Sequence, residues 1–556
     1  MSTKDTTTIS KLFSILKFQK KEIYSIYFFA IFSGLVQLSL PLGIQSIIGF
    51  VLGGSISTSL ILLIAFVILG VFFNGMLQVH QLKIIERIQQ QLFTRYSFLY
   101  AYTIPRLDMM DINKYYLPEL TNRFFDTIVL QKSISKLLLD IPAASIQILF
   151  GLLLLSFYHP VFIFFGILLL SVLFIILQFS SRQGMKTSIQ ESDYKYKVAG
   201  YLQEMARFVI NIKFTKDKDF YLNKTDHFVK GYLKARTAHF KVLLFQYWTL
   251  ITFKLLIVAA MLIVGAYLLV TQQLNIGQFI ATEIVILTVI DSIEKLIVNF
   301  DKVYDVLTSV EKINKLTDKE KETGGTMIFS SYGQGVTVNV QNLTFGFYEE
   351  HTVLQSVNLM VNRSEKVCIT GPHGSGKSTL LKVISGIYQP NNGSILINEI
   401  PNNNYSISSL RSAIGLFTGS QGIFEGTIKE NIFMSQANTD TSELYKLASI
   451  IGLTRFIESN RDGYEMFLQP TGHHLPSRIV KKILLMRVMI SNPPLLLLEE
   501  PCLGLEPEYQ ESIIHYLMNE LKHTTVIIIS NEPAFMDKCN RVVTMEKGRI
   551  SNIKTN

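Results

Sequence analysis

Residues 371–379 read GPHGSGKST, with three glycines close to a lysine that is followed by hydroxyl side chains. The preceding residues, VCIT (367–370), are typical of a short buried strand, and the following residues, LLKVISGIY (380–388), continue as a predicted helix. Strand, glycine loop and helix in this order form a phosphate cradle, because backbone N–H groups and the helix N-terminus converge on an anion. The stretch therefore predicts an α/β P-loop domain that binds nucleotide.

The residue types of this loop indicate which groups contact phosphate and Mg²⁺. Gly371, Gly374 and Gly376 let the backbone approach phosphate oxygens closely. Lys377 is expected to reach the β- and γ-phosphates, and the hydroxyl of Ser378 to ligate Mg²⁺. The predicted cofactors are ATP and Mg²⁺, and the predicted nucleotide-binding residues of the loop are Gly371, Gly374, Ser375, Gly376, Lys377, Ser378 and Thr379.

The composition of the 556-residue chain indicates a membrane protein around this domain. Hydrophobic residues make up 48% and charged residues only 17%, and the mean hydropathy is +0.31. Apolar runs near the ~20 residues that a membrane-spanning helix needs occur before about residue 300. The predicted spans are 23–51, 58–79, 138–158, 161–180, 242–270 and 276–300.

The charges between these spans predict their orientation. The connections GGSIS, YHP and TQQLN are short and uncharged, whereas the two long connections are rich in lysine and arginine. The positive-inside rule puts both long loops and both termini in the cytoplasm. We therefore expect a multi-pass protein of the cytoplasmic (inner) membrane, with long helical hairpins that extend into the cytoplasm.

Two segments of the membrane half have alternative interpretations. YLPELTNRF (116–124) is either a short transverse helix at the tip of the first hairpin, docking on another domain, or an ordinary surface turn. EIVILTVIDSIEKL (283–296) places Glu283, Asp291, Glu294 and Lys295 in or beside hydrocarbon. These charges either face an aqueous cavity, or the last three are solvated where the helix continues into the cytoplasm.

The composition shift along the chain predicts two domains. A membrane domain (1–317) is followed by a polar linker (318–330) and by a nucleotide-binding domain (331–556), which opens on the alternating strand pattern VTVNVQNLTF (336–345). Adenine is expected to stack on Phe347 or Tyr348, although an aromatic residue at a strand end is as often part of the core.

Other features of the sequence argue against nucleic-acid binding, a cysteine metal site and additional N-terminal segments. The net charge is +9, but no basic segment interleaved with aromatic residues indicates nucleic-acid binding. Cys368, Cys502 and Cys539 lack metal-ligand spacing and are expected to be reduced thiols. The polar N-terminal residues suggest neither a removable signal peptide nor an additional protease domain.

Taken with these motifs, the chain resembles a half-transporter of the ATP-binding cassette exporters. PELTNR (118–123), NIGQFIA (275–281), GTIKENIF (426–433) and LLLLEEP (495–501) resemble segments of that family in the expected order. The resemblance implies six transmembrane helices, a nucleotide-binding domain with a helical subdomain, and dimerisation. In such a dimer each ATP lies between one phosphate loop and the signature segment of the other subunit.

Several motifs depart from the family pattern. The signature LSGGQ is replaced by LPSRI (475–479), so Pro476, Ser477 and Arg478 stand where small residues allow close approach to phosphate. Either this segment has simply lost its function, or Arg478 itself binds phosphate. Gly419 occupies the glutamine position of the Q-loop, with Gln421 displaced by two residues.

The resemblance also identifies altered residues around the metal and the γ-phosphate. Glu499 stands in place of the metal-side aspartate, whereas Glu500 keeps the carboxylate that is expected to orient or deprotonate the attacking water. Asn531 replaces the switch histidine, and an amide cannot carry positive charge to the γ-phosphate. CLGLE ends in Glu506 rather than aspartate.

These features predict an ATP-coupled membrane translocase with weak ATPase activity. We expect efflux of a peptide, protein or amphipathic substrate, as in type I toxin secretion, by a homodimer or a heterodimer with a second half-transporter. A periplasmic adaptor protein is a further expected partner, and nucleic acid is not. The alternatives are a catalytically silent or regulatory ATP-binding subunit and a lipid or drug flippase.

Overall fold

The computed structural model describes residues 10, 17, 19–54, 58–217, 219–330, 334–348, 351–419, 421–434, 441–472 and 474–556, apart from the side chains of 169, 170, 172, 173, 176, 177, 179 and 180. The chain divides into two compact units, Met1–Lys321 and Glu322–Asn556. The first unit is helical and the second is α/β, so the predicted fold class is confirmed.

The described part of the first unit consists of long helices and three short ones. They are α1 (Lys20–Gln37), α2 (Ser39–Leu52), α3 (Thr58–Thr103), α4 (Met109–Ile112), α5 (Leu117–Thr121), α6 (Asp126–Tyr158), α7 (Val161–Arg207), α8 (Val209–Lys213), α9 (Phe220–Val270), α10 (Ile276–Val298) and α11 (Phe300–Thr317).

Five stretches of the described residues are long and apolar enough to cross a membrane: Lys20–Leu52, Thr58–Arg106, Leu117–Tyr158, Phe220–Val270 and Ile276–Thr317. The remaining predicted span, 161–180, lies in α7 and falls partly outside the described side chains. Helix α3 has 46 residues, a length of about 70 Å at 1.5 Å per residue, whereas the hydrocarbon is ~30 Å thick. The long helices therefore continue well beyond a bilayer, as the predicted hairpins require.

The segment 116–124 is helical rather than a simple turn. It forms α5 and then a tight 3₁₀ turn, Asn122–Phe125. Pro118 lies in the first turn of α5, where its missing N–H costs nothing, and does not interrupt a preceding helix. Leu120 is buried, and the guanidinium of Arg123 lies 5.4 Å from the ring centre of Tyr196. Docking of this segment on another domain stays a prediction.

The charges of the last predicted span have a partner that the sequence did not indicate. Lys254 of α9 contacts Asp291 Oδ1 at 3.4 Å and Glu294 Oε2 at 3.2 Å. Charges in or beside hydrocarbon are costly unless they are paired, so this ion triad lowers the cost of keeping Asp291 and Glu294 on α10.

A buried ion pair joins α7 to α11. The ammonium of Lys312 has no exposed side-chain surface and pairs with Asp193, whose carboxylate also accepts from Lys315 at 3.2 Å. Burial of an ammonium is tolerated only with such a partner. This pair therefore fixes the contact between the two helices.

The second unit is built on two main sheets. Its strands are β1 (Val338–Tyr348), β2 (His351–Val361), β3 (Lys366–Thr370), β4 (Asn392–Ile397), β5 (Ile400–Pro401), β6 (Ile414–Phe417), β7 (Gly426–Thr427), β8 (Phe467–Leu468), β9 (Leu495–Glu499), β10 (Thr525–Ile529), β11 (Arg541–Glu546) and β12 (Arg549–Thr555). One sheet has the order β2-β1-β4-β5, and the other has the order β12-β11-β3-β10-β9-β6. In the larger sheet only the β11–β12 pair is antiparallel.

Helices surround the larger sheet and complete the second unit. They are α12 (Lys377–Ile384), α13 (Ile407–Ser412), α14 (Ile428–Phe433), α15 (Thr441–Ile451), α16 (Thr454–Ser459), α17 (Ser477–Met489), α18 (Pro507–His515) and α19 (Pro533–Lys538). Strands β9 and β10 read LLLLE and TVIII, and almost all of their residues are buried. Continuous apolar strands of this kind are typical of a parallel sheet that is covered on both faces.

The predicted linker 318–330 does not stand apart from the two units. Lys319 forms an ion pair with Asp111 at 3.1 Å in the first unit. In the second unit, both carboxylate oxygens of Glu322 accept from the Arg411 guanidinium at 2.7 Å. The division therefore falls between residues 321 and 322, within the predicted linker.

We predict that Asp193→Ala destabilises the membrane domain by about 2 kcal/mol, because it leaves the Lys312 ammonium buried without its carboxylate. The thermal midpoint of the purified protein in detergent measures this loss. Lys230→Ala is the control, since it removes an exposed ion pair with Asp226 on the surface of α9. Equal midpoints for the two variants would show that the Lys312–Asp193 pair does not stabilise the domain.

Candidate functional site

The predicted site residues converge because parallel strands end at one edge of the larger sheet. Ile369 of β3 is in register with Ile529 of β10, and Ile529 is in register with Glu499 of β9. The glycine loop follows β3, Glu500 follows β9, and Asn531 lies two residues after β10. Ligands of open α/β sheets bind at this carboxyl edge.

The backbone of the glycine loop has a shape that other residues would not allow. Gly371 has φ +142°, and a Cβ there would lie 2.1 Å from the carbonyl oxygen of Met545. Gly376 has φ +94° and caps α12. Both positions therefore require glycine, and α12 begins directly behind the loop as a phosphate cradle requires.

The side chain of Lys377 lies over its own loop. Its ammonium donates to the carbonyl oxygens of Gly371 at 2.7 Å and Pro372 at 2.8 Å, and contacts Ser375 Oγ at 3.2 Å. Burial lowers the pKa of Lys377, and the carboxylates of Glu500 and Glu499 partly oppose this shift. The ammonium is thus held at the loop by contacts that a phosphate would replace.

The two residues predicted to hold the metal are in contact. Ser378 Oγ donates to Glu499 Oε1, so the glutamate, although one methylene longer than aspartate, reaches the hydroxyl. Hydroxyl and carboxylate oxygens are ligands that Mg²⁺ prefers, and Mg²⁺ commonly takes one or two side chains together with substrate phosphates. The described residues contain no separate group of three or more His, Cys, Asp or Glu that could hold a metal. The donor set at Ser378 and Glu499 fits Mg²⁺ bound with a nucleotide.

Glu500 is held in a strained conformation. Its φ is +44°, in the left-handed region that side chains rarely adopt. Its backbone N–H donates to the Ile529 carbonyl at 2.8 Å, and its Oε2 accepts from Ser530 Oγ at 3.2 Å. Ser530 was not predicted from the sequence, because no spacing rule connects it with a carboxylate thirty residues earlier.

Asn531 contacts the glycine loop of its own chain. Its Oδ1 accepts from the hydroxyl of Thr370 at 2.7 Å and from the N–H of Gly371 at 3.3 Å. The amide oxygen is therefore engaged at the end of β3.

The Q-loop position is open. A Cβ at Gly419 would meet no atom within 4 Å. Gln421 donates through Nε2 to the Leu416 carbonyl at 2.7 Å, whereas its buried Oε1 has no hydrogen-bond partner among the described residues. The described residues around position 419 therefore leave room for a Cβ there.

The altered signature segment precedes and begins α17. Pro476 is the N-cap residue and lies just before the helix. Ser477 and Arg478 follow in the first turn and are exposed. Arg478 Nη1 forms an ion pair with Glu506 Oε1 at 3.2 Å.

The two candidate adenine residues differ in their surroundings. Phe347 is half-buried and packs edge-on against Phe345 and Tyr388, with ring centres 5.1 Å and 5.4 Å away. Tyr348 is 69% exposed at the end of β1. Tyr348 therefore offers the freer ring face, and the packing of Phe347 is that of a core residue.

The remaining predicted loop residues lie within the cradle: Gly374 is exposed, Ser375 is buried and Thr379 is half-buried. The sequence analysis did not single out Lys481 and Lys482 of α17, which contact the segment after β9. Together with Arg478 they share one helix face at i, i+3 and i+4 spacing. This spacing, together with the three glutamates of the segment 499–506, is the signal that the sequence offers.

Comparisons with known proteins agree with this geometry. Residues 23–293 match the family model of the ABC transporter transmembrane region, and residues 354–503 match the ABC transporter family model. Over 96% of this chain and 95% of the other, the fold matches a solved structure of a bacterial Atm1-family ABC exporter with ATP bound, with a TM-score of 0.85 and 17% identity.

Curated relatives are similar over a shorter stretch. A probable ABC transporter ATP-binding/permease protein of Haemophilus influenzae is 31% identical over 44% of this chain and 44% of its own length. The glutathione/L-cysteine transport system ATP-binding/permease protein CydC of the same organism is 26% identical over 44% of this chain and 43% of its own. The alignments thus span less than half of these relatives. With both family models matched in order, the chain belongs to the ABC transporters and joins their transmembrane region to their nucleotide-binding domain.

Proposed function

We propose that this protein is an exporter half-transporter that couples MgATP binding, with slow hydrolysis, to efflux across the cytoplasmic membrane. The observation that carries the proposal is a phosphate cradle with Lys377, Ser378 and Glu499 in contact with it or with each other, beside altered residues in the Q-loop, the signature segment and the switch position. Binding and hydrolysis depend on different residues, so one can persist when the other declines.

The chain's own residues have separate tasks in this proposal. Backbone N–H groups of the glycine loop bind phosphate oxygens, and Lys377 exchanges the loop carbonyls for them. Ser378 and Glu499 would hold Mg²⁺, which supplies charge neutralisation on the phosphates. Glu500, positioned by Ser530, accepts the proton of the attacking water.

Slow hydrolysis follows from the altered contacts. Loss of one preorganised contact to the transition state typically costs on the order of 10² to 10³ in rate. Asn531 supplies no cation and is engaged by the glycine loop, and Gly419 supplies no amide. These losses act on one site and do not simply add.

Partner and substrate are part of the proposal. A homodimer or a heterodimer with a second half-transporter would complete each nucleotide site, with both termini in the cytoplasm. The similarity to a protein named for glutathione and L-cysteine transport favours a small peptide or an amino acid as the substrate over a protein exported by type I secretion. The same similarity does not favour a periplasmic adaptor as a partner.

A second candidate is a catalytically silent subunit in which ATP stabilises the dimer without powering a cycle. The contacts of Asn531 with the loop favour it. A lipid or drug flippase differs only in what the membrane domain accepts.

We predict that Lys377→Ala weakens Mg-ATP binding by at least about 30-fold, because the ammonium is the cation closest to the phosphate cradle. Equilibrium titration of the full-length protein in nanodiscs measures this change. Lys382→Ala, later on the same helix, is the control and should bind as the unmodified protein does. Undiminished binding by Lys377→Ala would contradict the proposed site.

We predict that Gly419→Gln combined with Asn531→His raises ATP hydrolysis at least about tenfold. The space at position 419 admits the glutamine, and the histidine restores a group that can carry charge. Steady-state phosphate release measures the rate. Gly422→Gln with Asn531→His is the control, since a Cβ at Gly422 also meets no atom within 4 Å. An equal rate in both double variants would show that position 419 does not limit hydrolysis.

A further inference from the structure

Three basic side chains of α17 contact the loop 500–506, which begins with the predicted catalytic glutamate, Glu500. Lys481 Nζ donates to the carbonyl oxygens of Glu500 at 2.8 Å and Leu503 at 2.6 Å. Lys482 Nζ contacts Glu506 Oε2 at 2.8 Å, and Arg478 Nη1 contacts the other oxygen, Glu506 Oε1, at 3.2 Å. The altered signature helix and the loop are thus joined by charge within one chain.

Lys482 and Arg478, the two partners of Glu506, differ in how far their side chains are buried. The side chain of Lys482 is 3% exposed, and it also donates to the Gly452 carbonyl at 3.1 Å. Arg478 is 58% exposed, and an exposed ion pair contributes little stability. Lys482 lowers the pKa of Glu506, with a smaller contribution from Arg478. Glu506 therefore keeps the buried ammonium of Lys482 as its partner when Arg478 moves away. Release of Arg478 thus costs little free energy.

Arg478 has the chemistry of a phosphate ligand. A guanidinium presents paired donors that match phosphate oxygens, and it stays charged at all working pH values. It stands in the signature segment, at a position where the family uses a glycine backbone close to the γ-phosphate of the opposite site. A long cationic side chain can reach a phosphate from which its own backbone is held away.

We propose that Arg478 exchanges Glu506 for the γ-phosphate of the nucleotide held by the opposing half-transporter. Glu506 is the intramolecular competitor that holds the arginine while the opposing site lacks a triphosphate. This inference rests on the proposed function and deepens it. It assigns a binding role to a residue that otherwise marks only the loss of the signature motif.

The affinities for Mg-ATP and Mg-ADP test this role of Arg478, because ADP has no γ-phosphate. In the purified full-length transporter, Arg478→Ala is expected to weaken Mg-ATP binding about tenfold and to leave Mg-ADP binding unchanged. Arg478→Lys should keep part of the preference for ATP. Glu506→Gln, which keeps an oxygen that can face Lys482, should strengthen Mg-ATP binding by removing the competing carboxylate.

The control is Arg455→Ala, which removes an arginine that is 82% exposed on α16 and should change neither affinity. Equal weakening of ATP and ADP binding by Arg478→Ala, or no change in either, would overturn the exchange while leaving the proposed function in place. Failure of the unmodified protein to bind either nucleotide would contradict the proposed function and this inference together.

Discussion

The parallel pairing of β3, β10 and β9 is the constraint on which the site depends. Their register brings Ile369, Ile529 and Glu499 to one edge, although these residues are far apart in the chain. The pairing is stable because the strands are apolar on both faces and are buried on both sides. A proline within any of the three strands, or a charge at one of their buried apolar positions, would move the glycine loop away from the carboxylates at the end of β9.

Motifs with fixed spacing were predictable from the sequence, and contacts between distant segments were not. The glycine loop specifies strand, turn and helix within twenty residues, and apolar runs specify the membrane helices. No local rule relates Ser530 to Glu500, Lys254 to Asp291, or Lys481 to the carbonyls of Glu500 and Leu503. Such contacts depend on strand register and helix packing, and one sequence without its fold does not define them.

Binding of a nucleotide and its hydrolysis require different groups at the same edge of the sheet. Backbone N–H groups and one lysine suffice to bind phosphates, and these are kept by the glycine conformations at 371 and 376. Cleavage also needs a metal, an oriented water and charge delivered to the γ-phosphate. In the proposed function Glu500 acts on this water and is held by its strained backbone and by Ser530, whereas Asn531 and Gly419 replace groups that the family places near the γ-phosphate. This distribution of kept and altered residues is the basis of the proposal that the protein binds ATP and hydrolyses it slowly.

The most direct test is to mix the full-length protein with Mg-ATP, quench samples over time, and identify the nucleotide that stays bound. The account predicts that protein-bound nucleotide is recovered as ATP, with conversion to ADP taking many seconds. Recovery of bound ADP at rates of tens per second, or no bound nucleotide at millimolar ATP, would contradict it.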